Sequence, residues 1–245
     1  MPEQRDDWRA RIGVLSPISN FTLMTEWSSV LPDGVTAYEA LMGLTETTPE
    51  SLVEMKKNAL AEAVKLSYGF MDIILFGCTS ASFIGGAGSD QAIIKEIESA
   101  VGIPTTTTTT CVLEAFSDLG VKRIALIGPY LKEVFDAEVR FFKHHGIETV
   151  YLKAMEYRYV KDISSLYERP YVYYRMAKEA YRSVKNVDAI FITCMASPAI
   201  KIIDVLEQET GVYVLSSISA SLYGVMKKLG IKGPIQNYGK VFDRL

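Results

Sequence analysis

The sequence predicts an α/β protein of two similar lobes, each a four-stranded parallel sheet with helices on both faces. Three observations carry this. Short apolar runs alternate with amphipathic segments along the chain, the pattern of parallel strands joined by crossover helices. The pattern also repeats. Arg11-Ile-Gly-Val-Leu-Ser-Pro17 returns as Arg123-Ile-Ala-Leu-Ile-Gly-Pro129, and Asp72-Ile-Ile-Leu-Phe-Gly-Cys78 as Asp188-Ala-Ile-Phe-Ile-Thr-Cys194. Finally, the length of 245 residues suits two units of about four βα repeats each.

The elements follow in order. Arg11 to Pro17 is a buried strand that stops at proline, and Thr22 to Leu31 can form a short helix. Val35 to Met42 is a second strand. Thr48-Pro-Glu50 is a helix start, with a capping hydroxyl, proline at the first helical position and then an acid. That helix is expected to run to about Ser67. Asp72 to Gly77, with Ile73, Ile74, Leu75 and Phe76, is a fully buried strand, and Ser89 to Val101 an amphipathic helix. Thr105 to Thr110 reads as a β-branched strand running into a helix cap, and Cys111 to Leu119 as a helix closed by Gly120.

The second half repeats this order. Strands are expected at Arg123 to Pro129, Glu148 to Met155, Asp188 to Cys194 and Gly211 to Leu215. Helices are expected at Leu131 to His144, Pro170 to Val184, Ala199 to Thr210 and Ser219 to Leu229. The lobes are expected over 1–120 and 121–232. A tail, 233–245, should return to the N-terminal lobe, with Asn237 to Phe242 as an extra strand.

Composition narrows the function classes. Lys plus Arg is 26 and Asp plus Glu is 29, a net charge of −3, which disfavours binding to a nucleic-acid backbone. Hydrophobic residues at 49% and charged residues at 22% fit a globular chain. No apolar run is long enough to predict a membrane span. The opening MPEQRDDWRA lacks the apolar core of a signal peptide. Three cysteines without metal-ligand spacing point to free thiols in a reducing, cytoplasmic setting.

The repeat sorts those cysteines. Ligands of open parallel sheets bind beyond the carboxyl ends of the strands. Cys78 and Cys194 both sit there, and two lobes packed face to face would bring both thiols to one cleft. A lone free cysteine is commonly a small buried hydrophobe; a matched pair points instead to two-thiol chemistry. Cys111, inside a predicted helix, reads as core. Cys78 to Ser82 reads as a loop that adds the hydroxyls of Thr79, Ser80 and Ser82, ahead of Gly85-Gly-Ala-Gly88. Hydroxyls and amides there could hold a carboxylate, or simply cap the next helix. Neither GxGxxG nor a phosphate-binding GxxxxGK[ST] motif occurs, so no nucleotide is expected. Asn20 and Tyr130 follow equivalent strands and can donate hydrogen bonds to carboxylate oxygens. His144 and His145 lie at a helix end and read as structural.

The chain resembles the aspartate/glutamate racemase superfamily and, within it, the maleate cis-trans isomerase and arylmalonate decarboxylase branch. The motifs are Arg11-Ile-Gly with Pro17-Ile-Ser-Asn20, Gly77-Cys-Thr-Ser-Ala-Ser82, Ala125-Leu-Ile-Gly-Pro-Tyr130, Thr193-Cys194 with Ser197-Pro198, Leu215-Ser-Ser217 and Tyr238-Gly-Lys240. The resemblance implies two flavodoxin-like lobes related by a pseudo-twofold axis, an active site between them, and no metal or organic cofactor. It implies Cys78 as nucleophile and Cys194 as acid/base partner. Asn20, Thr79, Ser80, Tyr130 and Met195 would bind substrate. The family's second substrate-binding asparagine falls at Asp162. This is a departure, since a carboxylate there repels a dianion unless it is protonated or turned away. Decarboxylases of the branch keep only the second cysteine, so Cys78 argues against typical decarboxylation.

The expected activity is isomerisation of maleate or a similar small dicarboxylate. A thiolate adds to the double bond, rotation follows, and elimination gives fumarate. The attacking thiol should have a lowered pKa. A two-cysteine amino-acid or hydantoin racemase, a related decarboxylase and a non-catalytic binding protein remain as alternatives. The expected partner is a small dicarboxylate, with no nucleic acid and no membrane; a homo-oligomer is left open.

Overall fold

The computed structural model describes residues 7–18, 20–166, 169–232 and 235–245. Ser19 in the Pro17-Ile-Ser-Asn20 motif, the start of the N-terminal segment and residues 233–234 of the tail lie outside these.

Two four-stranded parallel sheets form the framework. The first holds β1 (Ala10–Pro17), β2 (Val35–Met42), β3 (Ile73–Phe76) and β4 (Thr105–Thr107), in the order β2-β1-β3-β4. The second holds β5 (Arg123–Gly128), β6 (Glu148–Ala154), β7 (Ala189–Ile192) and β8 (Tyr213–Ser216), in the order β6-β5-β7-β8. Registers correspond too: Val14 pairs with Leu75 at the centre of one sheet, and Leu126 with Phe191 in the other. The central strands are buried on both faces, so β3 and β7 carry wholly apolar stretches. This order places a topological switch between β1 and β3, and another between β5 and β7. Loops leaving those four strands diverge to opposite sides and leave a crevice.

The first half continues with α1 (Phe21–Ser28), α2 (Pro49–Lys56), α3 (Ala59–Ser67), α4 (Thr79–Phe83), α5 (Ser89–Val101) and α6 (Thr108–Leu119). Thr107 caps α6 by accepting from the Thr110 N–H, and Gly120 closes it in the left-handed conformation at φ 70°. In the second half lie α7 (Lys132–His144), α8 (Val160–Ser164), α9 (Pro170–Ser183), α10 (Ile200–Thr210) and α11 (Ser217–Lys228).

The two halves share the larger of two apolar clusters, the smaller lying wholly within the second half. Helices α6 and α11 pack against each other so closely that a Cβ on Gly224 would lie 2.5 Å from Cys111 Sγ. Phe116 of α6 reaches the second sheet, its ring 5.4 Å from that of Phe191 in β7. In the other direction α11 contacts β3, and Trp27 Nε1 of α1 donates to the Ile218 carbonyl at 3.3 Å. A contiguous apolar cluster therefore runs from β1 to β7. It fixes the relative placement of the two sheets and thus of the loops at their ends.

Three sequence expectations are corrected. The helix expected from Thr48 to Ser67 is two helices, broken at Lys57–Asn58, where α2 can pack on α4 while α3 packs on β1, β2 and α5. The segment after Cys78 is the short helix α4 instead of a loop. The tail is a 3₁₀ turn, Lys240–Arg244, instead of a strand. Its backbone closes on itself, the Phe242 N–H donating to the Gly239 carbonyl and the Leu245 N–H to the Phe242 carbonyl, each at 3.2 Å, and Val241 and Phe242 are both buried. The Lys240 N–H donates to Glu207 Oε2 at 2.8 Å, and the turn packs against α6, α11 and β8.

Candidate active site

The site grows from the four loops at the two switch points. The first sheet contributes Asn20 after β1 and Cys78 after β3. Asn20 caps α1, its Oδ1 facing the Leu23 N–H. Gly77 precedes Cys78 and packs tightly: an added Cβ would lie 3.1 Å from the Leu15 carbonyl. Cys78 itself is extended, at φ −135°, and begins α4. Its Sγ lies 3.7 Å from Ser80 Oγ.

The second sheet contributes Tyr130 after β5 and Cys194 after β7. Cys194 adopts φ +86°, a left-handed conformation that costs a side-chain-bearing residue about 1–2 kcal/mol. Several bonds hold it there. The Cys194 N–H donates to Ser217 Oγ at 3.1 Å, and the Ala196 N–H reaches Cys194 Sγ at 3.4 Å. Thr22 Oγ1 of α1 donates to the Ala196 carbonyl at 3.1 Å. Ser217 also accepts from Thr79 Oγ1 at 2.9 Å. One hydroxyl at the start of α11 thus links the two cysteine loops.

Both thiols line one small cavity of about 40 Å³. Asn20, Thr79, Ser80, Tyr130 and Met195 line it with them. Its roof joins the two halves. Leu44 and Thr47 come from the loop after β2, and Val160 and Ile163 from α8. These segments are stitched together: the Thr47 N–H donates to the Arg158 carbonyl at 2.8 Å, and the Val160 N–H to the Thr45 carbonyl at 3.1 Å.

The electrostatics corrects one expectation. Burial pushes the Cys78 thiol up instead of down, partly offset by the Ala81 amide, the Ser80 hydroxyl and amide, and Lys56. Burial raises Cys194 to about 12, against the Ala196 amide and the Tyr130 phenol, with Cys78 and Glu138 adding to the rise. Tyr130 is held well above its usual range, first by burial and then by the charges of Cys194, Glu138 and Cys78. Each thiol disfavours a second negative charge beside it. A single proton lost from the pair leaves Cys78 the better-supported thiolate, since more donors face it.

The second correction concerns Asp162. It lies half-buried in α8, but α8 meets the cavity through Val160 and Ile163, and Asp162 is not among the lining residues. Gly85 to Gly88 also lie outside the cavity, ahead of α5. Ser82 is structural: its hydroxyl donates to the Thr79 carbonyl at 2.8 Å. Cys111 is buried in the core, its Sγ 3.5 Å from Thr106 Oγ1. Among the described residues, no group of three or more His, Cys, Asp or Glu side chains is placed to hold a metal ion, and no helix is long and apolar enough to cross a membrane.

A family model described as arylmalonate decarboxylase matches residues 12–242. The chain belongs to the arylmalonate decarboxylase family. Relatives in that branch include maleate isomerase from Geobacillus stearothermophilus, 24% identical over 95% of this chain and 97% of the relative. Arylmalonate decarboxylase from Bordetella bronchiseptica is 24% identical over 95% of this chain and 96% of that one. Among solved structures, a mutant of Nocardia farcinica maleate cis-trans isomerase with a covalently bound succinylcysteine intermediate superposes with a TM-score of 0.87. It is 20% identical, covering 95% of this chain and 98% of that one.

Within this arylmalonate decarboxylase family chain, sequence reasoning missed the roof and the support. Leu44 and Thr47 could have been found, because they follow the carboxyl end of β2, where parallel sheets place their loops. Ser217 was visible only as part of the Leu215-Ser-Ser217 motif, and nothing local says that it meets Thr79 and Cys194 across the two halves.

Proposed function

We propose that this protein catalyses cofactor-independent cis–trans isomerisation of maleate, or a similar small dicarboxylate, to fumarate through a covalent adduct on Cys78. The observation that carries the reading is the pair of unequal thiols, Cys78 and Cys194, lining one cavity with Asn20, Thr79, Ser80 and Tyr130. The succinylcysteine intermediate of the Nocardia farcinica relative supports the same chemistry.

The steps balance on the two sulfurs. The Cys78 thiolate adds to one olefinic carbon, forming a C–S bond. The π electron pair moves to the other carbon and into its carboxylate. That carbon takes the proton of the Cys194 thiol, giving a succinyl thioether and a Cys194 thiolate. The former double bond is now single and rotates. The Cys194 thiolate then removes the proton, the C–S bond breaks, and the trans alkene leaves with the Cys78 thiolate restored. Neutral donors must offset the substrate's two negative charges. The amides of Ser80 and Ala81 stabilise the thiolate, and the side chains of Asn20, Thr79, Ser80 and Tyr130 are the candidates for the carboxylates. All three cysteines are free, and the reaction needs its two unpaired, as in a reducing cytoplasm.

Incubation with maleate should give fumarate by proton NMR. No conversion at high enzyme concentration would remove the maleate assignment. A second reading is favoured by the apolar walls, Leu44, Val160, Ile163 and Met195. They suit a dicarboxylate carrying an apolar group, as an arylmalonate does, with Cys194 protonating the carbanion left by CO₂. Release of CO₂ from a substituted malonate without maleate turnover would select this reading.

A further inference from the structure

The internal duplication pairs Glu26 with Glu138, at the offset that relates Arg11 to Arg123. Both glutamates are buried, and both act on the segment carrying Cys194. Glu26 in α1 takes the Ile200 N–H on its two oxygens, at 3.1 and 3.2 Å. Glu138 in α7 takes the Thr193 hydroxyl on Oε1 at 2.7 Å. Buried carboxyls thus hold this segment at both ends. Exact symmetry would send Glu138 to the segment after Cys78; its hydrogen bond goes instead to the residue before Cys194.

Glu138 Oε2 has no hydrogen-bond partner among the described residues. A carboxylate with a bare oxygen in the core is costly. Burial accordingly raises Glu138 to about 8, with the Thr193 hydroxyl alone acting against it. The surrounding elements bring no cation to it. Helix α4 adds no ionisable side chain beyond Cys78 at its start. On β6, Glu148 pairs with Arg123, while Tyr151 and Lys153 pair with Glu179. On α6, besides Cys111, Glu114 and Asp118 pair with Lys228 and Lys227 of α11. On α7 itself, Lys132 pairs with Asp136, and Glu133, Arg140, Lys143 and His144 complete its charged and titratable side chains. What does face Glu138 is the site: its charge opposes ionisation of both Cys194 and Tyr130.

We propose that Glu138 is a positioning residue for Cys194, anchoring the left-handed turn through Thr193 and governing, by the charge state of its carboxyl, how readily Cys194 gives up its proton. The proposal rests on the reading of Cys194 as the acid/base partner. In the adduct Cys194 is a thiolate. A neutral Glu138 permits that state and an ionised one opposes it.

The test reads Cys194 directly, without substrate. Alkylation of Cys194 by iodoacetamide is followed across pH by peptide mass mapping in the wild type and in Glu138→Gln. Above pH 8 the wild-type carboxylate opposes the thiolate, so Glu138→Gln should move the alkylation midpoint down by about one pH unit or more. An identical midpoint in both proteins overturns the proposal. In a parallel turnover assay, wild-type activity should decline above about pH 8, whereas Glu138→Gln should keep its activity to higher pH with unchanged KM. If no dicarboxylate is turned over, the functional reading fails while the alkylation comparison still decides this one. If Glu138→Gln does not fold, Thr193→Val serves instead. Loss of the anchor should speed Cys194 alkylation several-fold at fixed pH, and Thr193→Ser should restore the wild-type rate. An unchanged rate in Thr193→Val overturns the anchoring role.

Discussion

Cys78 and Cys194 follow equivalent strands, β3 and β7, yet the chain leaves those strands in opposite ways. At Cys78 it stays extended, at φ −135°, and turns at once into α4, whose first amides face the sulfur. At Cys194 it turns left-handed, at φ +86°, and α10 begins only at Ile200. The physical reason is local. Thr79, Ser80, Ala81 and Ser82 can all enter a helix, whereas Pro198 lacks an N–H and disfavours helical backbone at Ser197. The duplication therefore gave two thiols equivalent positions and unequal surroundings. One gained donors that support a thiolate; the other, raised to about 12, is suited to carry a proton.

The largest effect expected from breaking this pair is on turnover. Cys78→Ser and Cys194→Ser should each lose on the order of 10³-fold or more in kcat, but in different ways. With maleate, Cys194→Ser should accumulate a protein heavier by one substrate, and Cys78→Ser should not. Intact-mass spectrometry separates them, and adducts on both variants would erase the division of roles.

Next comes the pH dependence of stability, set by the duplicated glutamates. Glu26 and Glu138 are each raised from 4.5 to about 8, in both cases chiefly by burial. A carboxyl raised on folding gives stability that is complete below its unfolded pKa and is lost as pH rises through its folded pKa. The melting temperature should therefore fall between pH 5 and pH 9, and Glu138→Gln should flatten that slope. An equal slope in the variant would mean that Glu138 ionises without cost.

A smaller effect separates the two backbones. Cys194→Gly relieves the left-handed strain while removing a buried side chain, whereas Cys78→Gly only loses. Cys78→Gly should be the costlier substitution by about 1–2 kcal/mol in denaturant unfolding. Equal costs would show that the turn at Cys194 holds no strain. Smallest of all, Cys111→Ala should leave turnover within about twofold and cost about 1 kcal/mol of stability, because that thiol lies in the core beside Thr106 and the α6–α11 contact and does not line the cavity.

Much of this was legible in the residues. Short runs rich in apolar or β-branched residues, bounded by turns, marked the eight strands; in the central four, β1, β3, β5 and β7, burial on both faces makes the apolar run nearly continuous. The repeat gave the two sheets and put Asn20, Cys78, Tyr130 and Cys194 at equivalent strand ends. The break at Lys57–Asn58, α4, α8 and the 3₁₀ tail were not legible. Each is short, and its conformation follows from what it packs against.

The sequence by itself determined the succession of strands and helices in each half and which two of three cysteines could meet, since period and repetition are local properties. Tertiary structure decided the rest. The α6–α11 contact fixed how the halves face each other, and Ser217 joined the two cysteine loops. Val160 and Ile163, and not Asp162, came to line the roof. Burial raised both thiols where the sequence alone suggested a lowered one, because desolvation depends on everything packed around a group and no motif records it.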